Sequence, residues 1–235
     1  MYTALAKYYD RLMNVDGDAW ADYLCALIGG RDDGADLACG TGAITLRLIA
    51  RGKKVFGVDI SPAMLAVATG KAAASGVRAL FVQGDMAAFR SAHPLGFVTC
   101  ACDGINYLPH PERAFAAAYD ALSDGGVYVF DVSSEYKLRE VIGDNTFSLE
   151  DESLVCVWRN RAGRHAVDME LTFFEKTGAL YARCDETQRQ YIHSEETLVS
   201  ALKSVGFTVK TYGFGTFRRP KPREERIVFV AEKNG

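Results

Sequence analysis

Three aspartates and a glycine turn carry the chemistry that is legible in this chain. Asp36 stands in "DDGADLACGTGAIT" (Asp32 to Thr45), just ahead of Gly40-Thr41-Gly42. Asp59 closes "KKVFGVDIS", and Asp85 closes "LFVQGDM". Glycines in such a turn let the backbone pass close to a ligand and adopt angles that a Cβ opposes. A helix starting directly after it adds free N–H groups and the positive end of a dipole. An acid at Asp59 can accept two hydrogen bonds from a ribose diol. Asp85 stands where an adenine edge would lie. Carboxylates at or near successive strand ends suit a ligand laid across the carboxyl edge of a parallel sheet.

A dinucleotide fingerprint wants a third glycine where Thr45 stands, which disfavours NAD and FAD. Asp36 would repel a pyrophosphate and suits a cation. S-adenosylmethionine, with its sulfonium and ammonium, is such a ligand.

These residues need elements to position them. Residues 3–29 read as two helical segments: Ala4, Leu5, Tyr8, Tyr9 and Leu12, then Trp20, Tyr23, Leu24, Leu27 and Ile28, recur at helical spacing. Asp16-Gly17-Asp18 separates them. From residue 33 strands alternate with helices. Strands are expected at Ala35–Ala38, Lys54–Val58, Ala79–Gln83, Phe97–Ala101 and Val127–Val132, helices at Ala43–Arg51, Pro62–Ser75 and Glu112–Leu122. That rhythm implies a parallel sheet covered on both faces. The approach to the glycine turn is weak in bulky residues, yet a central strand can tolerate low propensity because its neighbours set its conformation. After Val132 come a short helix, Glu135–Ile142, and four strand-like runs, Thr146–Glu150, Ser153–Arg161, Ala166–Glu175 and Leu180–Ile192, which read as an antiparallel meander. A helix at Ser194–Val205 and closing strands at Thr208–Phe217 and Arg226–Lys233 resume the α/β pattern. The fold class is therefore α/β, a Rossmann-like sheet with an inserted antiparallel β unit. The division expected is 1–30 as a helical lid, 31–134 with 194–235 as the core, and 135–193 as a cap.

Bulk composition narrows the function. The chain has 235 residues, 49% hydrophobic and 24% charged, with net charge −3, which is ordinary for a globular protein and argues against a nucleic-acid partner. The most basic run, Phe217 to Arg226, also holds glutamates and reads as a solvated loop. The six cysteines include no C-x-x-C pair; reduced thiols and no metal site are expected. No leader-like or membrane-spanning run is evident, so a cytoplasmic, membrane-free protein is expected, its oligomeric state open between monomer and homodimer.

Taken in order, "DLACGTG", "VFGVDIS", "FVQGDM" and "VTCACDGINYL" resemble the class I S-adenosylmethionine-dependent methyltransferases. The resemblance covers most of the chain. "AKYYDRLM" looks like the N-terminal helix that closes over the cofactor in many small-molecule members, and the meander resembles the sheet cap of a subgroup that includes sugar N-methyltransferases. The resemblance implies S-adenosylmethionine as cofactor and a small molecule as methyl acceptor. It implies that Ala38, Gly40 and Gly42 lie beneath the methionine portion and that Asp36 supports the amino group or the turn. Asp59 takes the ribose hydroxyls, Ile60 packs on adenine, and Asp85 with Met86 meets the adenine amino group. Cys102 and Asp103 stand beside the transferring methyl, with Tyr9 as the lid residue. Ala38 departs from the family, where glycine is frequent, and a mild effect is expected.

Methyl transfer from a sulfonium is an in-line displacement in a site that excludes water. An amine needs no strong base; a hydroxyl usually wants one. Acceptor-side candidates are Tyr9, Asp103, Tyr107 and His110, with Asn106, Tyr191 and His193 behind them. His165 and His193 are expected at the surface. "CDGINY" replaces the Pro-Pro-aromatic signature of amino-methyltransferases, which lowers the odds of an exocyclic base amine. Other classes open at this point are a nucleotide-dependent oxidoreductase, a binding module that has lost chemistry, and a tRNA or protein methyltransferase.

Overall fold

The computed structural model describes residues 5–12 and 16–235; Ala4 and the Met13–Val15 link lie outside the described residues. The chain opens with helices α1 (Leu5–Leu12) and α2 (Gly17–Ile28). Asp16 caps α2 by accepting from the N–H groups of Asp18 and Ala19 at 3.2 and 3.0 Å. Trp20, Leu24 and Ile28 then pack α2 against Leu48, Phe97 and Val129 of the core.

The alternation follows: β1 (Asp33–Leu37), α3 (Ala43–Ala50), β2 (Lys54–Asp59), α4 (Pro62–Ala74), β3 (Phe81–Gln83), β4 (Leu95–Cys100), α5 (Glu112–Ala121) and β5 (Leu122–Ser133). A π-helical turn (Lys137–Ile142) leads into β6 (Thr146–Glu150), β7 (Leu154–Ala162), β8 (Ala166–Thr177) and β9 (Leu180–Tyr191). The chain ends with α6 (Glu195–Val205), β10 (Phe207–Gly213) and β11 (Arg226–Lys233). Ser61 caps α4 through its hydroxyl, with Pro62 at the first helical position.

The larger sheet has the order β10-β11-β5-β4-β1-β2-β3. Strands β1 to β5 run parallel, and β11 lies antiparallel between β10 and β5. β1 is central, as the alternation requires, and it begins and ends a residue or two earlier than expected. Its sparse side chains have a packing reason. A Cβ on Gly34 would lie 2.5 Å from the Phe97 carbonyl oxygen on β4, so the close pairing of β1 and β4 needs a glycine there. Ala35 and Leu37 are fully buried beside it.

The second sheet is a four-stranded meander, β6-β7-β8-β9. Its inner face alternates out of the sequence: Leu154 and Cys156 on β7, Val167, Met169, Leu171 and Phe173 on β8. These side chains cover Leu5 and Tyr8 of α1 and Leu138 and Ile142 of the π-helical turn. The outer face carries cross-strand ion pairs such as Arg189 to Asp168 at 2.5 Å. Arg226 is a correction to the solvated-loop reading of Phe217–Arg226. It begins β11, and its side chain is largely buried against acids from elsewhere in the chain. No helix among the described residues is long and apolar enough to cross a membrane.

Candidate active site

Strand order reverses between β1 and β4, and the loops leaving their carboxyl ends open a crevice there. A cavity of about 210 Å³ fills it, lined by Tyr9, Asp36, Ala38, Gly40, Asp59, Ile60, Asp85, Met86 and Cys102, among others. All the cofactor residues expected from sequence are there except one. Gly42 caps α3 behind the cavity wall with φ +70°, where a Cβ would meet the Phe81 ring at 2.7 Å. It is not among the residues lining the cavity, and its left-handed backbone shapes the turn.

The turn is built from left-handed backbone: φ is +52° at Ala38 and +55° at Gly40. Ala38 therefore occupies a conformation that favours glycine. Asp59 locks the turn from the side. One of its oxygens accepts the Gly40 N–H and the other the Ser61 N–H, each at 2.8 Å. Burial raises its carboxyl above the usual range. Asp36 is buried beneath the turn and accepts from the hydroxyls of Thr45 (2.6 Å) and Thr99 (2.8 Å). Burial pushes its pKa up to about 6, the two hydroxyls pull it back, and the nearby Asp59 charge adds to the rise. Asp85 is exposed at the rim and caps the 3-10 turn Met86–Ala88 through Ala87 N–H at 2.8 Å. Ile60, on the wall of the same cavity, is 58% exposed.

At the inner end of the crevice, Cys102 and Asp103 both have left-handed backbone, φ +61° and +66°. The strain is held by a carboxylate that the sequence reading did not single out. Asp131, at the end of β5, accepts from Cys102 N–H at 2.7 Å and Asp103 N–H at 3.3 Å. Arg226 bonds Asp131 and lies 2.5 Å from Asp103. Burial pushes Asp103 up, but Arg226 and then Lys137 outweigh it and hold its carboxyl below the usual carboxylate range. Burial takes Asp131 up to about 6 and Cys102 to about 12, and raises the Tyr9 phenol well above its ordinary value. An acid inside the apolar run "VYVFDVS" was the available signal for Asp131.

A second cavity of about 630 Å³ opens between α1 and α2, the π-helical turn, the inner face of the second sheet and the loop after β10. Asp103, Tyr107, Lys137, Trp158, Gln188, Gln190 and Arg226 line it, within a mainly apolar wall. Cys102 and Tyr107 line both cavities. The remaining candidates lie elsewhere. His110 is exposed and lines neither cavity. Asn106 is a buried brace: its amide donates to the Ser133 and Tyr191 carbonyls at 3.2 and 3.0 Å and accepts from Ser133 N–H at 2.9 Å. Tyr191 enters this brace through its backbone. His193 is half-buried rather than at the surface, with Nε2 2.9 Å from the Leu108 carbonyl; His165 is exposed.

A model of the methyltransferase domain matches residues 35–126. A putative methyltransferase of Geobacillus sp. (strain WCH70) is 35% identical, the alignment covering 99% of each chain. The crystal structure of an S-adenosylmethionine-dependent methyltransferase from Clostridium acetobutylicum ATCC 824 superposes with a TM-score of 0.90 at 30% identity, covering 100% of this chain and 99% of the other. The fold alone extends to the sugar N-methyltransferase KedS8 from Streptoalloteichus sp ATCC 53650, with a TM-score of 0.83 at 22% identity and coverage of 100% and 95%.

Proposed function

The chain belongs to the class I S-adenosylmethionine-dependent methyltransferases, and on that footing we propose that it methylates a small molecule held in the second cavity. The observation that carries this reading is the sharing of Cys102 and Tyr107 between the two cavities. A group passing from one ligand to another would cross there.

The residues of the crevice fit the cofactor. Two buried carboxylates and one exposed one surround a turn whose backbone leaves room for close approach, and an exposed Ile60 stands on the cavity wall for an adenine to lie on. In this reading Asp59 holds the ribose, Asp85 and Met86 the adenine edge, and Asp36 the amino group or the turn. Bound S-adenosylmethionine supplies an electrophilic methyl on a sulfonium. The chain's own contribution is to hold, orient and keep dry. Tyr9 stays protonated and serves as a donor, since burial raises its pKa. Asp103 stays ionised beside Arg226 and serves to orient an acceptor rather than to take its proton. Cys102, raised to about 12, is not a thiolate at neutral pH. None of these three groups is tuned as a base, which favours an acceptor nucleophilic without prior deprotonation, an amine over a hydroxyl.

The second sheet, within 135–193, acts as the acceptor's cap and the N-terminal helices, within 1–30, as its lid, over a core of 31–134 and 194–235. Tritium-labelled S-adenosylmethionine incubated with the protein and a panel of small amines, alcohols, sugars and acids tests the reading. Label in the small-molecule fraction supports it. Label transferred only when tRNA or protein is supplied overturns it.

A further inference from the structure

The wall that the antiparallel sheet gives to the second cavity leaves polar atoms unpaired. Gln188 and Gln190 are two apart on β9 and so share a face; they are 3% and 6% exposed. The Gln188 amide nitrogen donates to Glu186, which leaves Oε1 as its free end. That oxygen, Gln190 Oε1 and Trp158 Nε1 are buried without a hydrogen-bond partner among the described residues, and all three side chains line the cavity. Buried polar groups are almost always paired, so this wall leaves two acceptors and one donor open to a partner from within the cavity. The lining around them is hydrocarbon and ring, including Leu12, Trp20, Met169 and Phe214. The charged lining residues are Asp103, Arg226 and Lys137 at the junction and Asp16 at the start of α2, where it caps the helix.

Building on the methyl-transfer reading, we propose that the acceptor, besides the amine presented at the junction, is a predominantly apolar molecule bearing a neutral primary carboxamide where it meets this wall. Gln188 and Gln190, neighbours on one face of β9, accept from its two N–H bonds, and Trp158, across the sheet on β7, donates to a separate acceptor of the same molecule. Beyond the carboxamide the molecule needs rings or chain to fill the apolar wall, in a cavity of drug-like size. A monosaccharide fits poorly. It carries a hydroxyl on nearly every carbon, and each one left facing hydrocarbon costs about tenfold in affinity.

Both tryptophans of the chain, Trp20 and Trp158, line this cavity, so tryptophan emission reports its occupancy. The protein, saturated with S-adenosylhomocysteine, is titrated with phenylbutanamide, butylbenzene and glucosamine. Phenylbutanamide is expected to shift the emission and to bind about tenfold more tightly than butylbenzene. Glucosamine is expected to leave the emission unchanged. In the Gln188→Leu/Gln190→Leu variant the tenfold gap should close while butylbenzene binding holds or improves. Tighter binding of glucosamine than of phenylbutanamide overturns the proposal, as does an amide preference that survives both substitutions. Calorimetry with S-adenosylhomocysteine checks that the variant is folded; if it is not, Gln190→Met replaces it, and the gap should narrow. Failure of wild type to bind S-adenosylhomocysteine would sink the methyl-transfer reading itself. Cofactor binding together with a glucosamine preference would sink only the acceptor class.

Discussion

Replacing Asp36 by asparagine sets stability against cofactor binding at one buried carboxyl. The side chain is wholly enclosed, and burial raises its pKa from 3.8 to about 6 despite two hydroxyl donors. At neutral pH the folded protein therefore keeps a charge that it would hold more cheaply unfolded. A rise of that size corresponds to about 3 kcal/mol. The sign follows from the direction. The folded pKa lies above the unfolded one, so the stabilising effect of protonation is complete below about pH 4 and is lost as pH rises through about 6. Asparagine has the same shape and no charge, and the hydroxyls of Thr45 and Thr99 can turn to meet an amide. Allowing for one less favourable hydrogen bond, Asp36→Asn should gain about 1–3 kcal/mol at neutral pH without cofactor. That gain should fade as pH is lowered toward about 4. S-adenosylhomocysteine, whose amino group would lose an anionic partner, should bind about 10- to 100-fold more weakly. Urea denaturation across pH and calorimetry with the cofactor product measure the two arms. A variant less stable than wild type at neutral pH would refute the desolvation argument. Unchanged affinity would show that Asp36 supports the turn and not the ligand.

Asp59→Ala should weaken S-adenosylhomocysteine binding at least tenfold in calorimetry and cost about 1–3 kcal/mol in urea melts, because Gly40 and Ser61 N–H groups lose their acceptor. Gly42→Ala should destabilise by about 1–3 kcal/mol, since the new Cβ meets Phe81 at 2.7 Å on left-handed backbone. Ala38→Gly relieves left-handed strain but loosens the unfolded chain, so urea melts should place it within about 1 kcal/mol of wild type with cofactor binding retained. Arg226→Met strands Asp131 and Asp103 as buried neighbouring acids and should cost about 3–5 kcal/mol by the same melts, with Arg226→Lys recovering part of the loss.

The cofactor half of the site was legible because it is local. Asp36, Asp59 and Asp85 each end or precede a turn that follows its own strand, and strand–helix alternation brings those turns to one edge without further information. The weak approach to the glycine turn was harder: its need for Gly34 is visible only against Phe97, a residue contributed by another strand. The acceptor half is non-local. Asp131 reaches Cys102 because β5 lies beside β4, and Arg226 reaches both acids because β11 pairs with β5. Nothing near Arg226 in sequence separates it from the exposed basic residues before it, so charge composition alone placed it in solvent. His110 misled for the converse reason. Its neighbours in sequence sit at the site, but the exposed segment that carries it leaves both cavities.

The position of β11 also orders events on the ribosome. Every side chain that lines the cofactor crevice has been synthesised once Leu108 is made. The acids that hold and flank the left-handed pair Cys102-Asp103, by contrast, wait for their cation, a guanidinium more than a hundred residues downstream. Until β11 inserts, β5 is also an open edge, a template for wrong pairing. A nascent chain can thus assemble the cofactor half long before it can complete the transfer junction. A product that stops short of Arg226 would keep the residues of the cofactor cleft but leave Asp103 and Asp131 without their cation and β5 without its partner on that edge.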